Sequence, residues 1–497
     1  MPKLRTLESI LQPINRLPKD IFVLIPHFFT REERWESCPM NKPLIMMTHV
    51  CRSWRNLLLS ISSLWTQIDF SVSTDQQIEY FLRRSGNQPL DICHYLTDLD
   101  DVEPFLSITL HNLFRLRRLS ITTCIPRFGR LLGSFSSPAP ELEHLEIIHD
   151  PNITVMRTKF PRNFGGRMPK LTSLSLHYIP IDLHDFNFPI LTRLIFETEV
   201  IISVQDLTSF FGRCPSLEFI HICLPYPPQP HTPPPRRRVC LAALQEIILD
   251  QTACAIDLFD HLILPKCTEV RLRGIFVDET PDHHSSLVAR IHPSSIDYLP
   301  VMRGIIKAVA TAAWCSLVGP NGKLTLSCCN VAREKFDADF FTSFSPISIS
   351  QIRELWVGQK AYGGIKGWTW RQTAVEIHGV FAVLTKVEDL TIVNCQTGPF
   401  FVTLGATVED GVLLPGLRRL TVYGRSEDLD VPALTRCAKA RQEHFRPLGE
   451  VTVVWEEDPG ADIMREVESL REFVGELIHQ VGEDPELVRR GRECGCW

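Results

Sequence analysis

A six-residue pattern, apolar-x-x-apolar-x-apolar, recurs eleven times along the chain, and repetition on that scale restricts the fold to a stacked array. The copies are Leu116-Leu119-Ile121, Leu142-Leu145-Ile147, Leu171-Leu174-Leu176, Leu191-Leu194-Phe196, Leu217-Ile220-Ile222, Leu244-Ile247-Leu249, Cys267-Val270-Leu272, Ile352-Leu355-Val357, Val387-Leu390-Ile392, Leu417-Leu420-Val422 and Leu448-Val451-Val453. Successive first positions lie 26, 29, 20, 26, 27 and 23 residues apart, and later 35, 30 and 31. The gap of 85 residues from Cys267 to Ile352, with a fragment at Leu324-Thr325-Leu326, has room for one or two degenerate copies.

The last two apolar positions of each copy differ by two, so they face the same side of a short strand. The first enters the core just before it. Each unit then exposes a flank that only its neighbours can cover. The expected class is α/β, an irregular solenoid with a curved parallel sheet and helices or loops on the convex side. Return helices are expected at Val204 to Phe211 and Val375 to Leu384, and Pro169, Pro189, Pro215 and Pro415 punctuate the approach to four strands. A doubly wound sheet would show continuous apolar strands and a glycine-rich first turn, and neither is present.

The longest apolar stretch, Ile305 to Val318, falls short of the ~20 residues of a spanning helix. It reads as a buried helix. The first twenty residues show no secretory signal, which makes the cytoplasm and/or nucleus the expected compartment and a disulfide framework unexpected despite 16 cysteines. A net charge of -6, with 52 basic against 58 acidic residues, offers no concentrated basic surface for nucleic acid.

Residues between the core positions face outward on the concave side. Among them Arg193, Ile195, Phe219, His221, Glu246, Ile248, Arg271 and Trp356 are the candidates for facing a substrate. Ile195, Phe219, Ile248 and Trp356 are apolar there, and either a partner or a covering segment of the chain itself accounts for them. A proline-rich insert, residues 225–238, reads as a solvated loop. Beyond Trp455, Ile463, Val467, Leu470, Val474, Leu477 and Ile478 trace one face of a helix, expected to cap the last unit.

The N-terminal stretch has different physics. Leu17-Pro18 opens a helix whose apolar positions are Ile21, Leu24, Ile25 and Phe28, interrupted by Pro26. A charged loop from Thr30 to about Lys42 leads to a second apolar helix from Leu44 to Leu59. Leu17-Pro18-x-Asp20-Ile21, then Val50-Cys51-Arg52-x-Trp54-Arg55, then Leu64-Trp65, resembles the F-box pattern in order, type and helical position. With the repeats behind it, the chain resembles the F-box proteins with divergent leucine-rich repeats common in fungi. The spacing from Leu17 to Val50 is longer than usual for that family.

The resemblance implies three domains: an F-box-like helical unit over 14–70, the solenoid over 71–455, and an acidic amphipathic helix and tail over 456–497. It implies that Leu17, Pro18, Ile21, Ile25, Val50, Cys51, Trp54 and Leu57 contact a Skp-type linker protein or pack the module. It further implies a substrate-recruiting adaptor of a cullin-RING (SCF-type) ubiquitin ligase, with a protein substrate on the repeats. The alternative is an interaction scaffold that joins no ligase. No phosphate-binding loop, His-Glu-x-x-His or Gly-x-Ser-x-Gly elbow is present, so the chain is expected to be a non-catalytic adaptor with no cofactor and no metal.

Overall fold

The computed structural model describes residues 18, 21, 24, 25, 42–99, 102–125, 128–150, 164, 168–179, 183, 187–198, 200, 202–224, 238–250, 257–273, 293–311, 314–327, 349–358, 374–408 and 411–482. The chain divides into two bodies, Met1–Val200 and Ile201–Trp497.

In the first body, helices α1 (Lys42–Thr48) and α2 (Arg52–Ser60) precede strand β1 (Gln67–Asp69). There follow α3 (Asp75–Ser85), β2 (Leu90–Leu96), α4 (Val102–His111), β3 (Leu116–Thr123), α5 (Phe128–Ser134), β4 (His144–His149), β5 (Ser173–His177) and β6 (Arg193–Glu197). Each strand pairs parallel with the next, in chain order. Thr74 and Gln77 form a reciprocal capping box that starts α3. Buried Arg115 ends it, donating to the Ser85 hydroxyl and the Gln88 carbonyl.

The second body opens with α6 (Val204–Gly212), β7 (Phe219–Cys223), β8 (Val239–Cys240), β9 (Glu246–Asp250), β10 (Leu262–Ile263) and β11 (Glu269–Arg273). Strands β7, β9 and β11 are parallel neighbours, and β8 pairs with β10 in a separate ribbon. Then come β12 (Lys307–Thr311), β13 (Trp314–Gly319), β14 (Gly322–Ser327) and β15 (Glu354–Gly358). The remaining elements are α7 (Ala374–Val383), β16 (Asp389–Val393), α8 (Gly398–Gly405), the short β17 (Thr407–Val408) and β18 (Gly411–Val412), β19 (Arg419–Gly424), α9 (Val431–Glu443), β20 (Leu448–Trp455), α10 (Ala461–Glu468) and β21 (Val474–Val481). Strands β15, β16, β19, β20 and β21 run parallel in that order.

The eleven triplets build the core. Every member is at most 5% exposed, and in-register partners stack the same position from strand to strand, as in Leu145, Leu174 and Leu194. Burial of each leucine-sized side chain contributes roughly 1.5–3 kcal/mol. A fourth position, three residues before the triplet, is also buried: Ala139, Met168, Phe188, Cys214, Leu241, Leu264, Ile349, Leu384 and Leu414. Its carbonyl accepts from the backbone N–H of the triplet's first residue, closing a tight turn before these nine strands; before β20 the corresponding residue, Phe445, is 91% exposed.

Two expectations are corrected. Ile305 to Val318 is no buried helix: it supplies β12 and β13, and with β14 these form an antiparallel meander set between β11 and β15. The strand order there is β11-β14-β13-β12-β15. Ala308 and Ala310 point into the core with period two, and Cys315 and Leu317 do the same. The C-terminal segment is no continuous helix either. The α10 helix ends at Glu468, a 3₁₀ turn covers Ser469–Glu472, and Val474, Leu477 and Ile478 lie on strand β21, paired with β20. The segment repeats the helix-strand unit.

Among the described residues no helix is long and apolar enough to cross a membrane, and the ten described cysteines are free thiols. The proline-rich insert at 225–237 and residue Leu17 lie outside the described residues.

Candidate functional site

The N-terminal helices separate packing residues from presented ones. Cys51 is the N-cap of α2, in extended conformation, and its Sγ accepts from the Trp54 backbone N–H at 3.5 Å. Arg55 Nε donates to the Thr48 carbonyl at 2.9 Å, which fastens α2 to the end of α1. Leu44 and Leu58 are buried, whereas Ile25, Trp54 and Leu57 are half-buried. Pro18 is exposed, and so are four large apolar side chains: Ile21 at 47%, Leu24 at 49%, Met46 at 63% and Val50 at 60%. Isolated apolar residues on a surface are ordinary; four among the described residues that precede β1 are not.

The Leu64-Trp65 pair belongs to the packing side. Trp65 Nε1 donates to the Leu58 carbonyl at 3.0 Å, and its ring stacks on Phe81 of α3 at 5.7 Å and meets Tyr80 edge-on at 5.8 Å. Arg84 reaches back from α3 to the Leu59 carbonyl at 3.3 Å. The helical module and the first strand-helix unit therefore share side chains, and β1 begins directly after Trp65 at Gln67.

On the repeats, the candidate face is the side of each sheet opposite the triplets. In the first body it carries hydrogen-bonded polar groups. Arg117 forks onto the buried Asp91 carboxylate at 2.9 and 2.7 Å, and this bond raises the guanidinium pKa above its ordinary value. Ser120 Oγ donates to Glu146 Oε2 at 2.7 Å. Burial, reinforced by Asp69, pushes the Cys93 thiol far up, which removes it as a nucleophile. Arg193 is exposed at the end of this row and Ile195 is half-buried.

Ser175, His177 and Glu197 form a chain: Ser175 Oγ lies 3.0 Å from His177 Nε2, and His177 Nδ1 lies 2.8 Å from Glu197 Oε2. The order matches a nucleophile-base-acid relay. Its setting does not. Ser175 is 6% exposed, and its register neighbour is Glu146, a residue that offers acceptors and no donor for an oxyanion. The chain is an inter-strand tie.

In the second body His221 Nε2 lies 2.7 Å from Asp250 Oδ2, and Arg271 joins Glu246 at 3.2 Å and Glu269 at 2.8 Å. Lys307 Nζ is 2.8 Å from Glu354 and 4.4 Å from the centre of the Trp356 ring, whose Nε1 donates to the same carboxylate at 2.6 Å. Arg419 forks onto Asp389. Apart from Arg271–Glu269, which lies within β11, these pairs couple adjacent strands.

Two substrate-facing assignments are corrected here. Trp356 is 2% exposed and Ile248 is 6% exposed, so neither is offered to a partner. Trp356 packs in a cluster with Val309, Val393, Tyr423 and Val454 on that same side of the sheet. Phe219 is half-buried, as are His221, Glu246 and Arg271.

Comparison with known proteins adds little. No family model matches the chain. No curated protein matches it. A solved structure described as "Crystal structure of TLR13-ssRNA13 complex" is similar over 86% of this chain and 54% of that one, at 13% identity and a TM-score of 0.33. This chain spans about half the length of that protein. The description of the repeats stands on the register and burial given above. Among the described residues no group of three or more His, Cys, Asp or Glu side chains is placed to hold a metal ion.

Proposed function

We propose that the chain is a non-catalytic adaptor, in the cytoplasm and/or nucleus, that recruits a protein substrate to a cullin-RING (SCF-type) ubiquitin ligase. The N-terminal helices dock on the Skp-type linker, and the repeats take the substrate. The observation that supports this reading is the exposed apolar set Ile21, Leu24, Met46 and Val50. Met46 and Val50 belong to the α1–α2 pair, whose own packing is already satisfied by Leu44, Leu58 and Trp65. An apolar surface that internal packing does not need is suited to a partner helix. The adaptor contributes proximity and orientation, and the transferring cysteine belongs to another subunit.

Retention of the purified, folded chain on immobilised Skp-type linker is the test. Binding that is lost with Val50→Asp and Ile21→Asp supports the adaptor. A folded wild-type chain that passes through unretained sinks it and leaves the alternative, a repeat scaffold outside any ligase.

A further inference from the structure

Strand β21 has one open edge. It pairs with β20 on one side, and among the described residues no strand pairs with the other. The Gly482 N–H donates to the Trp455 carbonyl at 2.8 Å. By the two-residue period of a strand, the backbone groups of Gly475, Leu477, His479 and Val481 therefore point away from β20. Open edges are ordinarily kept short, or carry lysine or proline that discourages pairing. Strand β1 is three residues long, whereas β21 runs for eight and has neither residue. On it Ile478 is 37% exposed, Val481 is 57% exposed, and Gly475 is exposed beside them.

The strand is complementary to itself. Residues opposed in an antiparallel pair share a face, so a two-fold axis must pass through a residue position. An axis at Ile478 overlaps the whole strand. Ile478 then meets its own copy, Glu476 meets the partner's Gln480, and Leu477 meets the partner's His479. Gly475, which has no side chain, leaves room for the partner's Val481. The outward backbone groups fall opposite one another in hydrogen-bonded pairs, and no like charges are opposed. An axis at Glu476 sets two carboxylates against each other. One at His479 opposes two imidazoles and shortens the overlap. Head-to-tail stacking would put β21 against β1, whose three residues cover less than half of it, and would propagate as a filament.

We propose that β21 docks on the β21 of a second copy of this chain, antiparallel about Ile478, to form a two-fold dimer. The dimer does not depend on the function proposed above.

Sedimentation velocity on the full chain from about 1 to 100 μM brackets the affinity of a small interface of this kind. The expected result is a reversible equilibrium between monomer and dimer. Ile478→Lys opposes two ammonium groups at the axis, and Val481→Pro removes an outward N–H while leaving the bonds to β20 intact; each should weaken association about tenfold or more. Charge at position 480 reads the register. Gln480→Lys, opposite the partner's Glu476, should tighten association about threefold, and Gln480→Glu should loosen it by a similar factor. Should the proline disturb β21, the two variants at 480 still decide. A chain that stays monomeric across the range, a dimer unmoved by Ile478→Lys, or one blind to charge at position 480 overturns the proposal.

Discussion

Gly322 and Thr268 are in backbone contact: a Cβ placed on Gly322 would lie 2.0 Å from the Thr268 carbonyl oxygen. That oxygen accepts from the Lys323 backbone N–H at 2.8 Å, so the loop cannot retreat without losing the first bond between β11 and β14. Gly322 also has φ +139°, a region closed to side-chain-bearing residues. Gly322→Ala should therefore lower stability by about 3 kcal/mol or more, the class of effect produced by overpacking and backbone strain together. Urea unfolding of the two proteins measures it, and an unchanged midpoint refutes the contact.

Arg441 is 0% exposed and has no carboxylate partner among the described residues; it donates to the Leu413 carbonyl at 2.8 Å and the Leu414 carbonyl at 2.9 Å. Burial pulls its pKa below the ordinary value. The guanidinium fork spans both carbonyls of the chain reversal that precedes β19, and no other charged side chain has that geometry. Arg441→Ala removes the donor to the buried Leu413 carbonyl, leaves Leu414 only the Leu417 backbone N–H, and empties a filled site, and should cost about 3 kcal/mol. Arg441→Lys should recover less than half of that, since one ammonium does not reproduce the fork. A lysine variant as stable as wild type would show that charge alone is needed there.

The triplets were legible because leucine-sized residues mark positions that must be buried, and spacing two with spacing three is hard to satisfy otherwise. The end units were missed for a chemical reason. His94 aligns with Ile121, and His479 aligns with Val453, so a polar residue closes each of those copies. The meander was missed for another. Ile305-Ala308-Ala310 obeys the rule, but alanines also suit a helix, and a short apolar run does not reveal which period applies. Asn321-Gly322, a hairpin signal, was readable as a turn without revealing that the chain runs back antiparallel. Val474, Leu477 and Ile478 misled in the opposite direction, since their spacing is shared by a helix face and by an edge strand with one side open. At the candidate site, exposure of Val50 against burial of Leu58 could not be read, because both are apolar residues in helical context. Nor could the burial of Trp356, which depends on Val393, Tyr423 and Val454 from three other strands.

Glu468 couples α10 to β21. Its carboxylate takes bonds from Arg471 and from His479 Nε2 at 2.7 Å, and these hold its pKa down to about 2 from 4.5. A carboxyl whose folded pKa is depressed contributes fully above its unfolded value and loses that contribution as the pH falls through the folded one. The tie should therefore persist at pH 5 and fail between about 4.5 and 2. Carbon-detected titration of the side-chain carboxyl should show its midpoint near 2, with β21 amide shifts moving in step. A midpoint near 4.5 removes the tie.

Val50 and Leu58 separate binding from folding within one module. Val50 is 60% exposed at the turn between α1 and α2, and Leu58, on α2, is 0% exposed in the chain's own packing. Val50→Asp removes apolar surface that the fold does not use, so stability should stay within about 0.5 kcal/mol. If the docking surface is as proposed, retention on the Skp-type linker should drop at least tenfold, because the aspartate must be desolvated in the interface. Leu58→Ala empties a filled site and should cost about 2–5 kcal/mol in stability. At temperatures where it remains folded, its retention should approach that of wild type. The reverse pattern, with Val50→Asp retained normally and Leu58→Ala folded but unretained, would place the linker contact on the inner face of α2 and overturn the assignment of the exposed set.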